Sequence, residues 1–416
     1  MAEQTRQSLV ATYGSPLYVY DLERVDRAHA DLRAVLPSPS TLLYSMKANP
    51  HPAIARRLRQ AGCRLEVSSA GELAAALLAG AGGQELLYTG PAKPLAELEH
   101  AVAAGVRAFS VESLTELERL GQAAARQRAD LTALLRVNGQ GATGGSGLRM
   151  TGIASQFGID AETLAAHWSP ERMPERVHVA GLHLFPVTNA RSEEQLLAEL
   201  RAAIDTAAEL ARTCRLEPAV IDLGGGFGAP YAAAGSRPRY PRLRAEAEQQ
   251  LDASFPGWRA SRPEVMFESG RYLVAESGTL LTTVIDVKRS RGKTYAVLDA
   301  GINVLGGMTG LGRLLPMRAI PTESAETADD VARVDLAGPS CTPLDVLGRD
   351  VPLPDARPGA ILAIPNVGAY GLSASLNGFL SRPLPAEVLL SGGRVVAASR
   401  SEMRRVHATF GEGAPR

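Results

Sequence analysis

The stretch LLYSMKANPH, residues 42–51, holds an apolar run that ends at Tyr44 and leads into Lys47, just before the helix-breaking pair Asn49 and Pro50. A short apolar run stopped by a proline is typical of a buried strand. A lysine at the end of such a strand is costly unless its amine has a use there. The stretch therefore predicts a strand that places a functional amine at its C-terminal end.

Seven similar runs follow up to residue 270, separated by Ala/Leu/Glu/Arg-rich segments with helical spacing. The eight runs are TLLYSMK, RLEVSS, LLYTG, AFSVES, LTALLRV, VAGLHLF, AVIDLGG and EVMFESG. Their alternation with helical segments predicts right-handed βα units, and eight units over about 230 residues is the length of a closed, TIM-type (β/α)8 barrel. A doubly wound open sheet is the alternative.

After Gly278 the pattern changes to period two, as in TLLTTVIDVKRSRGKTYAVLDA, where polar residues around Gly292 separate two alternating runs. This pattern predicts a hairpin and a mainly antiparallel β domain. The N-terminal run SPLYVYD is also strand-like and could pair into that domain. The expected division is a barrel over residues 27–272, and a β domain built from residues 1–26 and 273–416.

Composition excludes several classes of function. The 416 residues include 44 basic and 44 acidic side chains with no run of like charge, so we expect no affinity for nucleic acid or membrane surfaces. No secretory signal or bilayer-spanning segment is visible, which predicts a cytoplasmic protein. Three widely spaced cysteines and the lack of an H-x-x-x-H pair predict neither a disulfide framework nor a metal site.

In a barrel of this kind, functional groups lie at the C-terminal ends of the strands. Lys47 ends the first strand, His183 lies near the end of the sixth, GGGFG (224–228) follows the seventh, and FESGR (267–271) follows the eighth. A glycine cluster at a strand end brings backbone N–H groups close to a ligand, which suits a phosphate. The ends of the seventh and eighth strands are thus the predicted phosphate site.

These groups together describe a pocket for pyridoxal phosphate. Lys47 would bind the cofactor covalently through its amine, and His183 would lie flat against the ring. Glu268 would pair with the pyridine nitrogen and keep it protonated, which makes the ring a strong electron sink. A glycine-rich stretch at 138–155 has no nucleotide-binding spacing, and we interpret it as a lid or loop.

The chain resembles the fold-type III pyridoxal phosphate decarboxylases, the group that contains ornithine and diaminopimelate decarboxylases, from GSPLYVYD to LPAEVLL. The motifs that carry the likeness are YSMKANP, DLGGGFG, the Glu-x-Gly-Arg element from Glu268 to Arg271, GPSCTPLD (338–345) and GAYG (368–371). The resemblance implies catalytic roles for Lys47 and Cys341. It implies cofactor binding by Lys47, Glu66, His183, Thr188, Gly225, Gly226, Glu268, Gly270, Arg271 and Tyr370, and substrate binding by Arg271, Thr342 and Asp345.

The resemblance also implies a head-to-tail homodimer with its active sites at the interface, where Cys341 and Asp345 would reach the partner's cofactor. Cys341 would then return a proton to the carbon left by carbon dioxide, a task that suits a thiol. Tyr370 would support the cofactor phosphate.

Three departures from the family pattern bear on the substrate. Glu66 stands where relatives commonly have Asp, and HLFPVTN replaces His-x-Gly-Ser, so that Thr188 becomes the candidate phosphate ligand. Thr342 stands where many relatives carry an acid that reads the substrate's distal amine. Without that acid a buried distal ammonium would be unpaired, which argues against lysine, ornithine or diaminopimelate.

The motifs GPSCTPLDVLG, GAYGLSAS and FLSRPLPAEVLL look like the subgroup from antibiotic and siderophore pathways. The first hypothesis is therefore an α-decarboxylase of natural-product biosynthesis that acts on a glutamyl, aspartyl or 3-methylaspartyl group tethered to an acyl carrier protein. The alternatives are a decarboxylase of a free amino acid or siderophore intermediate, an amino-acid racemase, and a non-catalytic carrier of pyridoxal phosphate.

Overall fold

The structure, a computed structural model, describes residues 1–139, 154–190, 192–306, 318–325 and 331–405. The chain divides into two compact units. One consists of Asp21–Gly278 and Pro365–Ser373, and the other of Met1–Tyr20, Thr279–Ile364 and the residues from Ala374 onward. The segment Pro365–Ser373 thus packs with the first unit, although the residues before and after it belong to the second unit. The predicted boundaries at 26/27 and 272/273 stay a prediction.

The described residues contain seventeen strands and ten α-helices, each numbered in chain order. The strands are β1 Leu17–Asp21, β2 Thr41–Ser45, β3 Arg64–Val67, β4 Leu86–Tyr88, β5 Ala108–Val111, β6 Leu131–Asn138, β7 Ile159–Asp160, β8 Val177–Leu184, β9 Val220–Asp222, β10 Glu264–Ser269, β11 Gly278–Ser290, β12 Lys293–Leu298, β13 Arg333–Ala337, β14 Val346–Pro352, β15 Ile361–Pro365, β16 Ala386–Ser391 and β17 Arg394–Arg400. The helices are α1 Glu3–Tyr13, α2 Leu22–Val35, α3 Pro52–Gln60, α4 Ala70–Leu78, α5 Leu95–Ala103, α6 Leu114–Gln127, α7 Ala161–His167, α8 Glu193–Thr213, α9 Leu243–Ser254 and α10 Arg271–Val274.

The first unit contains a closed barrel of eight parallel strands, which confirms the predicted fold. Its strands run in the order β5-β4-β3-β2-β10-β9-β8-β6, and pairing of β5 with β6 closes the ring. Each of the eight predicted runs overlaps one of these strands. Side chains from several strands fill the barrel interior, including Leu43, Leu87, Leu134 and Met266.

Short polar residues start four helices of the first unit. The Asp21 carboxylate accepts backbone N–H groups at the start of α2, and the hydroxyls of Ser69, Ser113 and Ser192 do the same for α4, α6 and α8. These side chains satisfy donors that the first helical turn leaves unpaired. Each helix therefore begins at a fixed residue after its strand, which also fixes the loop between them.

The second unit contains a mainly antiparallel sheet, as predicted from the period-two pattern. Its strand order is β14-β13-β12-β11-β1-β16-β17, with β15 paired to β11. The N-terminal strand β1 lies inside this sheet, and β12 and β13 form a parallel pair. No described helix in either unit has the length and apolar content needed to cross a bilayer.

Candidate active site

Lys47 lies in a short 3-10 helix directly after β2, and its amine contacts an acidic residue on the next strand. Lys47 Nζ is 2.9 Å from Glu66 Oε1, and the Thr89 hydroxyl donates to the same oxygen at 2.7 Å. Burial works against a charged amine, but the carboxylates of Glu66 and Glu268 outweigh it and raise the pKa of Lys47. Without cofactor, Lys47 is therefore a protonated amine that Glu66 holds at the strand end.

His183 and Glu268 form a second, fully buried pair at the ends of β8 and β10. His183 Nε2 lies 3.4 Å from Glu268 Oε1, while Nδ1 lies 2.7 Å from the Ser110 hydroxyl. Burial, followed by the nearby Glu66 and Asp222 carboxylates, raises the pKa of Glu268 well above its usual value. Burial and Arg136 lower the pKa of His183 well below its own. Burial thus favours the uncharged form of both groups.

Asp222, at the end of β9, completes this buried set. Its Oδ1 accepts the Gly224 N–H at 2.8 Å, but burial dominates and raises the pKa of Asp222 from 3.8 to about 7. His183, Asp222 and Glu268 each offer one ligand atom within 4.8 Å of the others, an arrangement that could also hold a metal ion. The expected absence of a metal stays a prediction.

The predicted phosphate site lies at the ends of β9 and β10. One cavity there is lined by Lys47, Thr188, Gly225, Gly226, Glu268, Gly270, Arg271 and Tyr370, together with Ser45, Phe185, Asn189, Phe227 and Ser269. The structure thus brings together, around this cavity, eight of the ten predicted cofactor ligands, and Glu66 contacts the lysine that lines it. The guanidinium of Arg271 lies over the Tyr370 ring, 4.7 Å from its centroid.

Glycine is required in this loop for two separate reasons. A Cβ on Gly225 would lie 2.3 Å from the Glu268 carbonyl oxygen, which no side chain could tolerate. Gly226 has φ +96°, a conformation that favours glycine, and a Cβ there would lie 2.6 Å from Val187 Cγ1. The glycines therefore bring the loop backbone directly against the ends of the neighbouring strands.

Several residues of this region were not predicted from the sequence, among them Ser110, Phe185 and Arg136. Ser110 contacts His183 as described, and Phe185 lies under two cations, with its centroid 5.4 Å from Lys47 Nζ and 5.7 Å from the Arg136 guanidinium. Arg136 itself forms a buried ion pair with Glu112 at 2.7 Å. The only sequence signal for this pair is an arginine that interrupts the apolar run LTALLRV. Ser110 is an ordinary strand residue and Phe185 directly follows β8, so neither carries a signal of its own.

The predicted residues Cys341, Thr342 and Asp345 belong to the second unit. Cys341 is exposed and Thr342 is half-buried, whereas Asp345 is buried. The Asp345 carboxylate accepts backbone N–H groups from Ile302 at 2.8 Å and Ser340 at 2.7 Å. Asp345 thereby fixes the loop that carries Cys341, and the roles of all three toward a ligand stay predictions. Most of the glycine-rich stretch 138–155 lies outside the described residues.

The pocket of the first unit fits pyridoxal phosphate. Three fully buried atoms have no hydrogen-bond partner among the described residues. They are the two carboxyl oxygens of Glu268 and Nε2 of His183. Buried polar atoms are normally satisfied, so these atoms indicate a polar ligand. A heteroaromatic ring nitrogen would pair with Glu268, the amine of Lys47 would bind an aldehyde, and the glycine backbone with Thr188 would bind a phosphate.

Comparison with known proteins agrees with this fit. The family model described as the pyridoxal-binding domain of pyridoxal-dependent decarboxylases matches residues 22–275. The chain is 31% identical to an L-glutamyl-(BtrI acyl-carrier protein) decarboxylase from Niallia circulans, over 93% of this chain and 91% of the relative. It is 32% identical to a diaminopimelate decarboxylase from Deinococcus radiodurans, over 94% of each.

The fold comparison gives the same architecture. The crystal structure of diaminopimelate decarboxylase from Helicobacter pylori, complexed with L-lysine, superposes with a TM-score of 0.80. The superposition covers 94% of this chain and 95% of that one, at 23% sequence identity. This likeness establishes the shared fold of barrel and β domain.

Proposed function

The chain belongs to the family of pyridoxal-dependent decarboxylases, and from this premise we propose that its substrate is an acidic aminoacyl group tethered to an acyl carrier protein. The group would be glutamyl, aspartyl or 3-methylaspartyl, and the product would enter natural-product biosynthesis. The observation that carries the proposal is the likeness, along 93% of the chain, to a decarboxylase whose name specifies a carrier-linked L-glutamyl substrate.

Thr342 supports a substrate with an uncharged distal end. It follows Cys341 directly, and its hydroxyl accepts the Leu344 N–H at 3.3 Å. A threonine offers no charge to a distal ammonium, whereas a side-chain thioester is neutral and needs none. A thioester-linked acidic residue also leaves its α-amino and α-carboxylate groups free for the reaction.

We propose a role for each of the protein's groups, supported by the site geometry for those in the barrel and by the family resemblance for Cys341. Pyridoxal phosphate, when bound, supplies the electron sink that takes up the electrons of the departing carboxylate. Glu268 is buried with a raised pKa, and it would hold a proton for the ring nitrogen. Glu66 forms an ion pair with the Lys47 amine and orients it. The Ser110 hydroxyl bonds His183 Nδ1 and prevents rotation of the ring. Cys341 would return the final proton from Sγ.

The test is a substrate panel with the holoenzyme, followed by mass spectrometry for loss of carbon dioxide. The panel sets pantetheine thioesters of glutamate, aspartate and 3-methylaspartate, linked through the side chain, against free lysine, ornithine, arginine and diaminopimelate. We expect turnover of a thioester alone. Turnover of a free diamino acid with no thioester activity would overturn the proposal.

A second candidate is decarboxylation of a free diamino acid. The observation in its favour is the 32% identity to a diaminopimelate decarboxylase over 94% of both chains. The variant Thr342→Glu separates the two functions. If the substrate is carrier-linked, the added charge lowers thioester turnover; if the substrate is a diamino acid, the added charge improves its KM.

A further inference from the structure

The second unit contains a groove with an excess of positive charge. It has a volume of about 600 Å³ and lies between the segment around Ser381 and the residues that follow β17. Its charged lining consists of Arg382, Arg400, Arg404 and Arg405 against a single acid, Glu402. We name this feature the arginine groove. The whole chain has no net charge, so this local excess is not predicted by composition.

The arginines of the groove are not neutralised within the described part of the chain. Arg382 donates to the Pro339 carbonyl at 3.1 Å and Arg400 to the Tyr13 carbonyl at 3.4 Å, and neither of these acceptors is a carboxylate. Across residues 1–139, 154–190, 192–306, 318–325 and 331–405, none of the four arginines has a carboxylate within ion-pair distance. Elsewhere in the same unit, exposed Arg333 and Arg357 do pair with aspartates.

Apolar side chains stand exposed beside this charge. Met403, in the wall of the groove, is 58% exposed, and Leu380, which precedes Ser381, is 46% exposed. Val396, on the terminal strand β17 of the sheet, is 55% exposed. Arginine and methionine are enriched where proteins bind other proteins, and exposed apolar side chains among them favour a folded protein partner over a nucleic acid.

We propose that the arginine groove docks the acyl carrier protein through a carboxylate-rich face of the carrier. The inference rests on the proposed function, which requires a protein partner. Uncompensated arginines provide charge complementarity and steer the encounter, and the exposed methionine and leucine supply the apolar contact that keeps the partner bound. The reacting end of the substrate plays no part in this contact, so docking and chemistry can be measured separately.

The experiment compares two substrates that share one reacting group. L-glutamyl-loaded BtrI acyl carrier protein is compared with L-glutamyl pantetheine thioester, using wild-type holoenzyme and the variant Arg404→Glu/Arg405→Glu. We expect the variant to raise KM for the carrier-linked substrate about tenfold or more, with kcat and all constants for the pantetheine substrate retained. The milder variant Arg404→Gln/Arg405→Gln should give a smaller rise in the same direction.

The matched control is Arg289→Glu/Arg291→Glu, which makes the same change of charge on two exposed arginines in the hairpin between β11 and β12 of the same unit. It should leave both KM values unchanged. Raising the ionic strength from about 0.05 M to about 0.3 M shortens the Debye length from about 14 Å to about 6 Å, and it should weaken carrier recognition by wild type more than by the groove variants.

Three results would overturn the inference. The groove variants could keep the wild-type KM for the carrier-linked substrate. The hairpin control could show as large a rise in that KM as the groove variants, or wild type could show no preference for the carrier-linked substrate over the pantetheine thioester. In each case turnover of the pantetheine thioester would leave the proposed function standing. Lack of thioester turnover by wild type would instead refute the proposed function itself.

Discussion

At the residue scale, the ion pair between Lys47 and Glu66 links catalysis to folding stability, because the reactive amine is also the cation that neutralises a buried carboxylate. Lys47→Ala should abolish decarboxylation and covalent cofactor attachment, because no other lysine of the described residues lines the cavity. It also leaves the Glu66 carboxylate, 1% exposed, without its cation, which should lower the melting temperature of the cofactor-free protein. Adding Glu66→Gln in the double variant should restore much of that loss. An unchanged melting temperature for Lys47→Ala would show that the pair contributes no stability.

Asp222 gives a prediction for the dependence of stability on pH. Because its folded pKa of about 7 lies above its usual 3.8, its stabilising contribution is complete below about pH 4 and is lost as the pH rises through 7. Asp222→Asn removes this loss, so its stability relative to wild type should increase between pH 5 and pH 8, by up to about 3 kcal/mol. Urea unfolding of the cofactor-free proteins at pH 5 and pH 8 measures the free energy of unfolding. An equal difference between variant and wild type at both pH values would contradict the raised pKa of Asp222.

At the element scale, the loop after β9 depends on close backbone packing. Gly226→Ala introduces a methyl group 2.6 Å from Val187 Cγ1 at φ +96°, so the loop must move, and we expect affinity for pyridoxal phosphate to fall about tenfold or more. Gly292→Ala is the matched control, because Gly292 has φ +82° with nothing within 4 Å of its Cβ. Cofactor titration followed by absorbance should show a loss of affinity for pyridoxal phosphate in Gly226→Ala and not in Gly292→Ala.

The barrel could be predicted from sequence because each of its strands is a separate apolar run followed by a segment with helical spacing. Lys47 and Glu268 stand at the ends of such runs, so strand position alone located them. The contact of Ser110 with His183 could not be found in this way, because the residues lie 73 positions apart on β5 and β8, which are not neighbouring strands. Their approach depends on how the ring closes, and no local pattern specifies that.

At the scale of the whole molecule, the predicted homodimer with shared active sites can be tested by mixing two inactive variants. If Cys341 of one protomer serves the cofactor held by Lys47 of its partner, a heterodimer of Lys47→Ala and Cys341→Ala has one intact site. Random pairing makes half of the dimers mixed, so co-expression should restore about a quarter of the wild-type activity. Activity no higher than that of either variant alone would place each site within one protomer.

The return of Pro365–Ser373 to the barrel unit has a consequence for synthesis on the ribosome. Tyr370 N donates to the Ala48 carbonyl at 2.8 Å, and Asn49 Nδ2 donates to the Gly368 carbonyl at 3.0 Å, on both sides of the loop that follows Lys47. All eight barrel strands are translated nearly a hundred residues before this wall of the pocket. Since domains fold from the N-terminus as the chain emerges, a nascent barrel has an open cofactor pocket after its last strand is made, and the pocket can close only once residues 365–373 have also left the ribosome.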